Sequence, residues 1–253
     1  MRRGRRQKLG RAPTPELSVV VPTYNEAGNV ERLAAGIGAA LDPSLRDYEV
    51  VFVDDQSPDG TGEIVRRMAR QDARIRLLTK EKKEGIGAAH RAGFAAAQGR
   101  LIATIDADLS HDPADLLRMR DEIALNGCDL VIGSRYVRGG RMIGKSWLRS
   151  AGSLGMNWLA RLALGVPVRD ATHTFRMFRR EVYDRLRDKM TAKGHPAFEV
   201  EFTHLAAQNG FKLGEVPIIM RERPGAGESK INVRKEAWTY LKFLWRLRFV
   251  RGG

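Results

Sequence analysis

Residues Leu17–Glu26 read Leu-Ser-Val-Val-Val-Pro-Thr-Tyr-Asn-Glu. A short β-branched run stops at Pro22, which has no amide to extend a sheet ladder. The next segment, Ala27–Leu41, places Val30, Leu33, Ile37 and Leu41 at helical spacing. Strand-then-helix recurs down the chain. Val50–Val53 precedes a helix over Thr61–Arg70, Ile75–Leu78 one over Ala88–Ala97, and Leu101–Ile105 one over Ala114–Leu125. Leu130–Ile132 closes the series. Apolar strands alternating with amphipathic helices predict a mainly parallel sheet covered on both faces, a Rossmann-like α/β domain. Ligands of such sheets bind beyond the C-terminal ends of the strands. The polar stretches to inspect are therefore Pro22–Glu26, Asp54–Gly60, Lys80–Gly87, Asp106–His111 and Gly133–Tyr136.

No Gly-x-Gly-x-x-Gly loop follows the first strand, so a dinucleotide-binding dehydrogenase does not fit. The first strand end instead offers the Tyr24 ring and the Glu26 carboxylate, suited to a base and a ribose. The second offers Asp54 and Asp55, either as ligands of nucleoside hydroxyls or as parts of a turn and helix entry. The fourth ends in Asp106-Ala107-Asp108. Alternate residues of a strand share a side, so the two carboxylates can converge. They repel unless a cation or proton intervenes, and Mg2+ or Mn2+ suits an all-oxygen set that shares phosphates with a substrate. The competing reading is a polar turn with Asp112 capping the next helix.

The net charge of +14 in 253 residues is concentrated at the ends. Residues 1–15 carry +6 with no acid, and residues 234–253 carry +5. The body is only mildly basic, which argues against a nucleic-acid groove and suggests basic ends near an anionic surface. Residues 1–16 read as a disordered basic arm. The single cysteine, Cys128, reads as a small buried thiol and requires no oxidising compartment. The N-terminus lacks the apolar core of a secretory signal, and no run is long and apolar enough to span a bilayer. A cytoplasmic protein is expected. Trp238–Arg251 interleaves Trp238, Leu241, Leu244, Trp245, Leu247, Phe249 and Val250 with Lys242, Arg246, Arg248 and Arg251. That composition suits an amphipathic helix on a membrane surface, a helix packed on the body, or a dock for a separate membrane protein.

The chain resembles the dolichyl-phosphate (polyprenyl-phosphate) mannose synthase branch of glycosyltransferase family 2. The resemblance rests on VVVPTYNE (Val19–Glu26), VDDQSPDGT (Val53–Thr61), KEGIGAAHRAGFAAAQG (Lys83–Gly99), DADLSHDP (Asp106–Pro113), GSRYVRGG (Gly133–Gly140) and GESK (Gly227–Lys230). It implies a GT-A domain over residues 17–230, followed by a C-terminal segment, 231–253. It implies a nucleotide-sugar donor held by Pro22, Tyr24, Glu26 and Asp55, and a divalent metal on Asp106 and Asp108. Ser110 stands where some members place a third metal ligand. Arg135 and Arg149 match arginines that hold the acceptor phosphate, for which a guanidinium fork is well shaped. Arg223 and Lys230 resemble the basic loop over the donor diphosphate, with Arg221 competing for the role of Arg223. Asp170-Ala171-Thr172-His173 departs from the usual pattern, leaving His173 either a sugar or phosphate donor or a structural residue. So does Gly194–Phe198. The implied reaction is inverting transfer of a hexose, mannose from GDP-mannose first, to a polyprenyl or dolichyl phosphate at the cytoplasmic membrane face. The alternative is a UDP-sugar donor or a hydroxyl acceptor. A phosphate nucleophile needs no general base, consistent with the lack of an obvious His–carboxylate pair, and Asp170 is not read as one.

Overall fold

The computed structural model describes residues 14–82, 84–144, 147–192, 194–222 and 233–249, and excludes the side chains of 147–149 and 233–237. Of the sequence-derived site residues, Arg223 and Lys230 lie outside the described residues, as does the arm up to residue 13.

The alternation is realised as β1 (Leu17–Thr23), α1 (Val30–Leu41), β2 (Tyr48–Asp54), α2 (Thr61–Gln71), β3 (Ile75–Thr79), α3 (Ile86–Ala96), β4 (Leu101–Thr104), α4 (Asp115–Asn126) and β5 (Leu130–Ser134). The second half adds β6 (Arg141–Ile143), α5 (Trp147–Leu164), β7 (Arg176–Arg179), α6 (Arg180–Leu186), α7 (Ala197–Gln208), β8 (Leu213–Pro217), β9 (Ile219–Arg221) and α8 (Val233–Phe249). Seven strands form one sheet in the order β3-β2-β1-β4-β7-β5-β8, parallel except for β7, which runs antiparallel to both β4 and β5. β6 and β9 make a separate parallel pair. The Pro15 carbonyl accepts the Arg100 amide at 3.0 Å, beside the start of β4.

Strand alternation divides the core. Val19, Val21, Val50 and Phe52 face α1, α2 and α4, whereas Val20, Val51 and Val53 face α3 and the later helices. Helix α3 seats unusually close to β1. A side chain at Gly93 would collide with Val20 Cγ1 and lie 3.0 Å from Val53 Cγ2. Helix α8 packs its inner stripe, Tyr240, Leu244 and Leu247, into the same core as α5 and α7, and the Tyr240 hydroxyl donates to the Met156 carbonyl at 3.2 Å. Its outer side exposes Trp238, Leu241, Trp245 and Phe249.

Candidate active site

Three strands end at one edge, and each turns through a non-glycine residue in the left-handed region: Asn25 (φ 60°) after β1, Gln56 (φ 57°) after β2 and Leu109 (φ 62°) after β4. Such residues carry strain of order 1 kcal/mol or more and gather at functional loops. The loops are laced together. The amides of Asn25, Glu26 and Ala27 donate to Ser57 Oγ, Thr61 Oγ1 and Asp59 Oδ2, each at 3.0 Å. Between these loops and the first turn of α3 lies a cavity of about 290 Å3. Pro22, Tyr24, Glu26, Asp55, Asp106 and Asp108 line it, with Gly85, Ile86 and Ala89. Six of the expected donor and metal residues thus meet around one space. The α3 N-terminus faces the same space, and free helix amides favour an anionic group there.

Asp54, expected among the donor-binding residues, is turned away from the cavity. Its oxygens accept from Thr23 Oγ1 (3.2 Å), Ser57 Oγ (2.5 Å) and the Ser57 amide (3.1 Å), so it shapes the loop instead. Asp55 Oδ1 lies 2.9 Å from Lys80 Nζ, and both side chains are nearly buried. This contact joins the ends of β2 and β3, and Lys80 Nζ also lies 4.0 Å from Glu84 Oε2.

At Asp106, Oδ2 accepts from Thr174 Oγ1 at 2.7 Å and meets His111 Nε2 at 3.3 Å. Burial raises the pKa of this carboxyl, but His111 and Thr174 outweigh it and bring it down to about 2. Asp108 Oδ1 accepts the Ser110 amide at 3.0 Å. Oδ1 of Asp106 and Oδ2 of Asp108 take no part in these bonds, and both residues border the cavity. No cluster of three or more His, Cys, Asp or Glu side chains suited to a metal occurs among the described residues. Two carboxylate oxygens fit an ion that completes its shell with water and substrate phosphate, the habit of Mg2+. The Arg221 amide donates to the Ser110 carbonyl at 2.9 Å, so the chain entering the 223–230 segment departs from beside this pair. The Arg221 side chain is exposed.

Arg135 is buried and is not among the residues that line this cavity. Its Nε and Nη2 donate to Asp170 Oδ2 and Oδ1, both at 2.7 Å, and its amide to Oδ2 at 3.0 Å. Asp170 is fully buried and also accepts from Asn157 Nδ2 at 3.3 Å. A carboxylate so enclosed spends its oxygens on these partners. Arg135 keeps Nη1 clear of Asp170. Arg149 lies in the first turn of α5, but its side chain is outside the described residues.

A match to the family model "Glycosyl transferase family 2" extends over residues 18–187. The chain belongs to glycosyltransferase family 2. Among curated relatives of this family 2 enzyme, the polyprenol monophosphomannose synthase of Mycolicibacterium smegmatis is 37% identical, covering 93% of this chain and 89% of that protein. The undecaprenyl-phosphate mannosyltransferase of Micrococcus luteus is 36% identical, covering 84% and 86%. Glucosyl-3-phosphoglycerate synthase from Mycobacterium tuberculosis, solved with Mn2+, UDP and phosphoglyceric acid, superposes with a TM-score of 0.68 at 20% identity, covering 93% of this chain and 79% of that one. A mannosyltransferase from Pyrobaculum calidifontis, solved with GDP-Man and Mn2+, gives 0.61 at 22% identity, covering 96% and 66%. The GT-A fold expected from sequence is thereby established for this family 2 member.

Histidines pack behind these loops, and of them the linear reading weighed a role for His173. His111 is buried against Asp106 and stacks on Phe175, ring centres 4.9 Å apart. His173 Nδ1 accepts the Phe175 amide at 3.1 Å, which assigns the proton to Nε2. Burial, with Arg135 nearby, holds its pKa well below the ordinary value, so this ring is neutral. His195 Nδ1 lies 3.1 Å from Glu199 Oε2, and His90 Nδ1 lies 3.8 Å from Oε1. The fold therefore builds His–carboxylate pairs that were not obvious in sequence. The spacing of His195 and Glu199 was available as a signal, but Pro196 obscured the helix start.

Proposed function

We propose that this enzyme transfers mannose from GDP-mannose to a polyprenyl phosphate, with inversion. The observation that carries the reading is the pair of relatives named for polyprenol- and undecaprenyl-phosphate mannosyl transfer, which match 84–93% of the chain. The geometry agrees with it. Tyr24, Glu26 and Asp55 border the space for the nucleoside, and the α3 N-terminus faces the diphosphate. Arg135 Nη1 and Arg149 hold the acceptor phosphate, and Arg223 and Lys230 cover the donor diphosphate. Asp106 and Asp108 would hold a Mg2+ or Mn2+ ion, which when bound neutralises charge growing on the leaving diphosphate.

An oxygen of the acceptor phosphate attacks the anomeric carbon. The new carbon–oxygen bond forms as the bond to the diphosphate breaks, and the nucleoside diphosphate leaves with the electron pair. The second pKa of a phosphate monoester is about 6, so the nucleophile is already anionic at neutral pH. No side chain has to remove a proton, which suits an Asp170 locked to Arg135.

The proposal includes attachment to the cytoplasmic face of a membrane. Ten large apolar side chains are exposed among the described residues, and seven lie on α5 and α8: Leu154, Trp158, Leu162, Trp238, Leu241, Trp245 and Phe249. Arg161, Lys242, Arg246 and Arg248 stand among them. Apolar area of this extent rimmed by basic groups fits an anionic leaflet. No described helix is long and apolar enough to cross a membrane.

The test incubates the protein with radiolabelled GDP-mannose or UDP-glucose, with and without polyprenyl phosphate. Label entering the lipid phase from GDP-mannose only when the phosphate is present supports the proposal. Transfer from UDP-glucose alone, or to a hydroxyl acceptor, overturns it.

A further inference from the structure

Helix α7 begins at the same strand-end edge as the cavity. Arg176, which opens β7, pairs with Thr104 at the end of β4, two residues before Asp106. Its Nη1 donates to the Glu199 carbonyl in the first turn of α7 at 3.2 Å. Helix α3 holds the same turn from another side. Arg91 Nη1 donates to the Ala192 carbonyl at 2.5 Å, and the His90 ring stacks on Phe198 with centres 5.4 Å apart. Ala89, the residue before His90, lines the cavity. Glu201 pins the approach to the turn by accepting the Thr191 and Ala192 amides at 2.9 and 2.7 Å.

An imidazole–carboxylate pair sits on this anchored turn. Glu199 is 1% exposed, whereas half of the His195 side chain is open. His195 Nδ1 faces Glu199 Oε2 at 3.1 Å, which leaves Nε2 for a ligand. We infer that His195 is a substrate-binding residue: Glu199 fixes its ring and its charge, and Nε2 donates to a phosphate oxygen of a bound substrate. The inference rests on the proposed reaction, in which a donor diphosphate and an acceptor monophosphate meet beside Asp106. The physical reason is the enclosure of Glu199. A carboxylate this buried needs a cation. His90 does not serve, because burial holds its pKa at about 4. Arg176 acts on the carboxylate only at a distance, since its guanidinium donates to Thr203 Oγ1 and to backbone carbonyls. His195 is the cation in contact. Burial opposes its charge, but Glu199 outweighs burial, Asp106 adds to it and Arg135 works against it, so the pKa is raised. His195 also bears on His90 and His173. The ring thus stands within electrostatic reach of the strand-end carboxylate and presents a charge-assisted donor from its open side.

The experiment measures donor and acceptor KM from about pH 6.5 to about pH 9.5 on the full chain, on His195→Gln and on Glu199→Gln. In the unaltered chain one KM should rise as pH climbs through the His195 pKa, above the ordinary 6.5, because the cation is lost there. A rise in the acceptor KM assigns Nε2 to the monophosphate, and a rise in the donor KM assigns it to the diphosphate. His195→Gln should raise the same KM about tenfold at the acid end and less than about twofold at the alkaline end. Glu199→Gln keeps the ring but removes its counter-charge, so the break should move to lower pH, which lost packing alone does not produce. Where one variant melts far below the unaltered chain, the other decides, and where both do, the profile of the unaltered chain decides. A flat KM profile in the unaltered chain, a His195→Gln penalty equal at both ends of the range, or a break that Glu199→Gln leaves in place overturns the assignment while the proposed function stands. If the unaltered chain transfers mannose to polyprenyl phosphate at no pH, the proposed function itself falls, and this contact with it.

Discussion

Asp106 and Asp108 were readable as a pair because they follow an apolar strand, although β4 stops at Thr104 and both lie in the loop beyond it, where alternation no longer fixes which way each points. Lys80, His111 and Thr174 were not, because their contacts with Asp55 and Asp106 depend on which strands become neighbours. Asp54 and Asp55 show the limit of local reading. They are adjacent carboxylates in the same turn, yet one closes on Ser57 and the other opens on the cavity. If the two carboxylates outside that turn share a cation, Asp108→Asn should lower kcat by about 100-fold or more while circular dichroism and melting stay unchanged. EDTA should abolish turnover and Mn2+ or Mg2+ restore it. Full activity of the variant, or turnover in EDTA, would remove the metal role. At Arg135 the fork is spent on Asp170 through Nε and Nη2, and Nη1 lies 3.9 Å from Met142 Sδ. Arg135→Lys keeps the charge without the planar pair of donors, so the acceptor KM should rise and the donor Kd stay constant. Asp170→Asn strips the buried guanidinium of its counter-charge, a change worth about 3–5 kcal/mol. The melting temperature should fall by about 10 °C. A shift below about 2 °C would mean that the pair carries little of the fold.

Elements with a clean period were legible: β1 to β5 and α1 to α4 lie within a few residues of the expected positions, since one buried face per element repeats at 2.0 or 3.6 residues. The strand β7 was not, because Arg-Met-Phe-Arg carries arginines at both ends and its value lies in pairing with β4 and β5. Helix α7 was equally opaque: Phe198–Ala206 is buried all round, so it has no polar face to mark a period. That enclosure sets up a pH dependence between α3 and α7. Burial depresses the pKa of His90 to about 4 despite the charge of Glu199. The unfolded chain takes up a proton near pH 6.5 that the folded chain refuses, so stability falls as pH drops from about 6.5 to 4, by about 3 kcal/mol from this ring. His195 acts the other way. Burial lowers its pKa, but Glu199 wins and raises it, so its contribution is full below the unfolded value and fades as pH rises through the folded one. His195 is half-exposed, which weakens its share. Glu199, held below its ordinary pKa because His195 outweighs burial, loses its contribution only at the acid end. Denaturant titrations of the wild type and His90→Phe, which matches the stacked Phe94 and Phe198, should diverge between pH 6.5 and 4, with the variant flatter. Parallel curves would assign the acid loss to other groups.

For the whole molecule, the basic ends and interleaved C-terminal helix suggested an interfacial surface, but that α5 exposes Leu154, Trp158 and Leu162 beside α8 could not be seen until the fold set the two helices together. Helix α8 takes one of the roles its sequence allowed, a helix packed on the body: Tyr240, Leu244 and Leu247 belong to the core, while Trp238 and Trp245 are exposed. Deleting the segment would therefore disturb the body. Changing Trp238, Trp245 and Phe249 together to Ser is the cleaner intervention. Cosedimentation with anionic vesicles should drop about tenfold, while melting stays within about 2 °C, since these side chains are exposed. Undiminished binding would locate attachment elsewhere. The close seat of α3 on β1 has a different consequence. Gly93 lies two turns along α3 from the Ile86 that borders the cavity, and touches no part of it. Even an alanine there must lift the helix from Val20, and the lift carries Ile86 and Ala89 outward with it. A mutational survey scored only by nucleotide retention would rank Gly93 beside Asp55 and Asp106, and a map of ligand contacts drawn from such scores would extend into the middle of the protein, where no ligand goes.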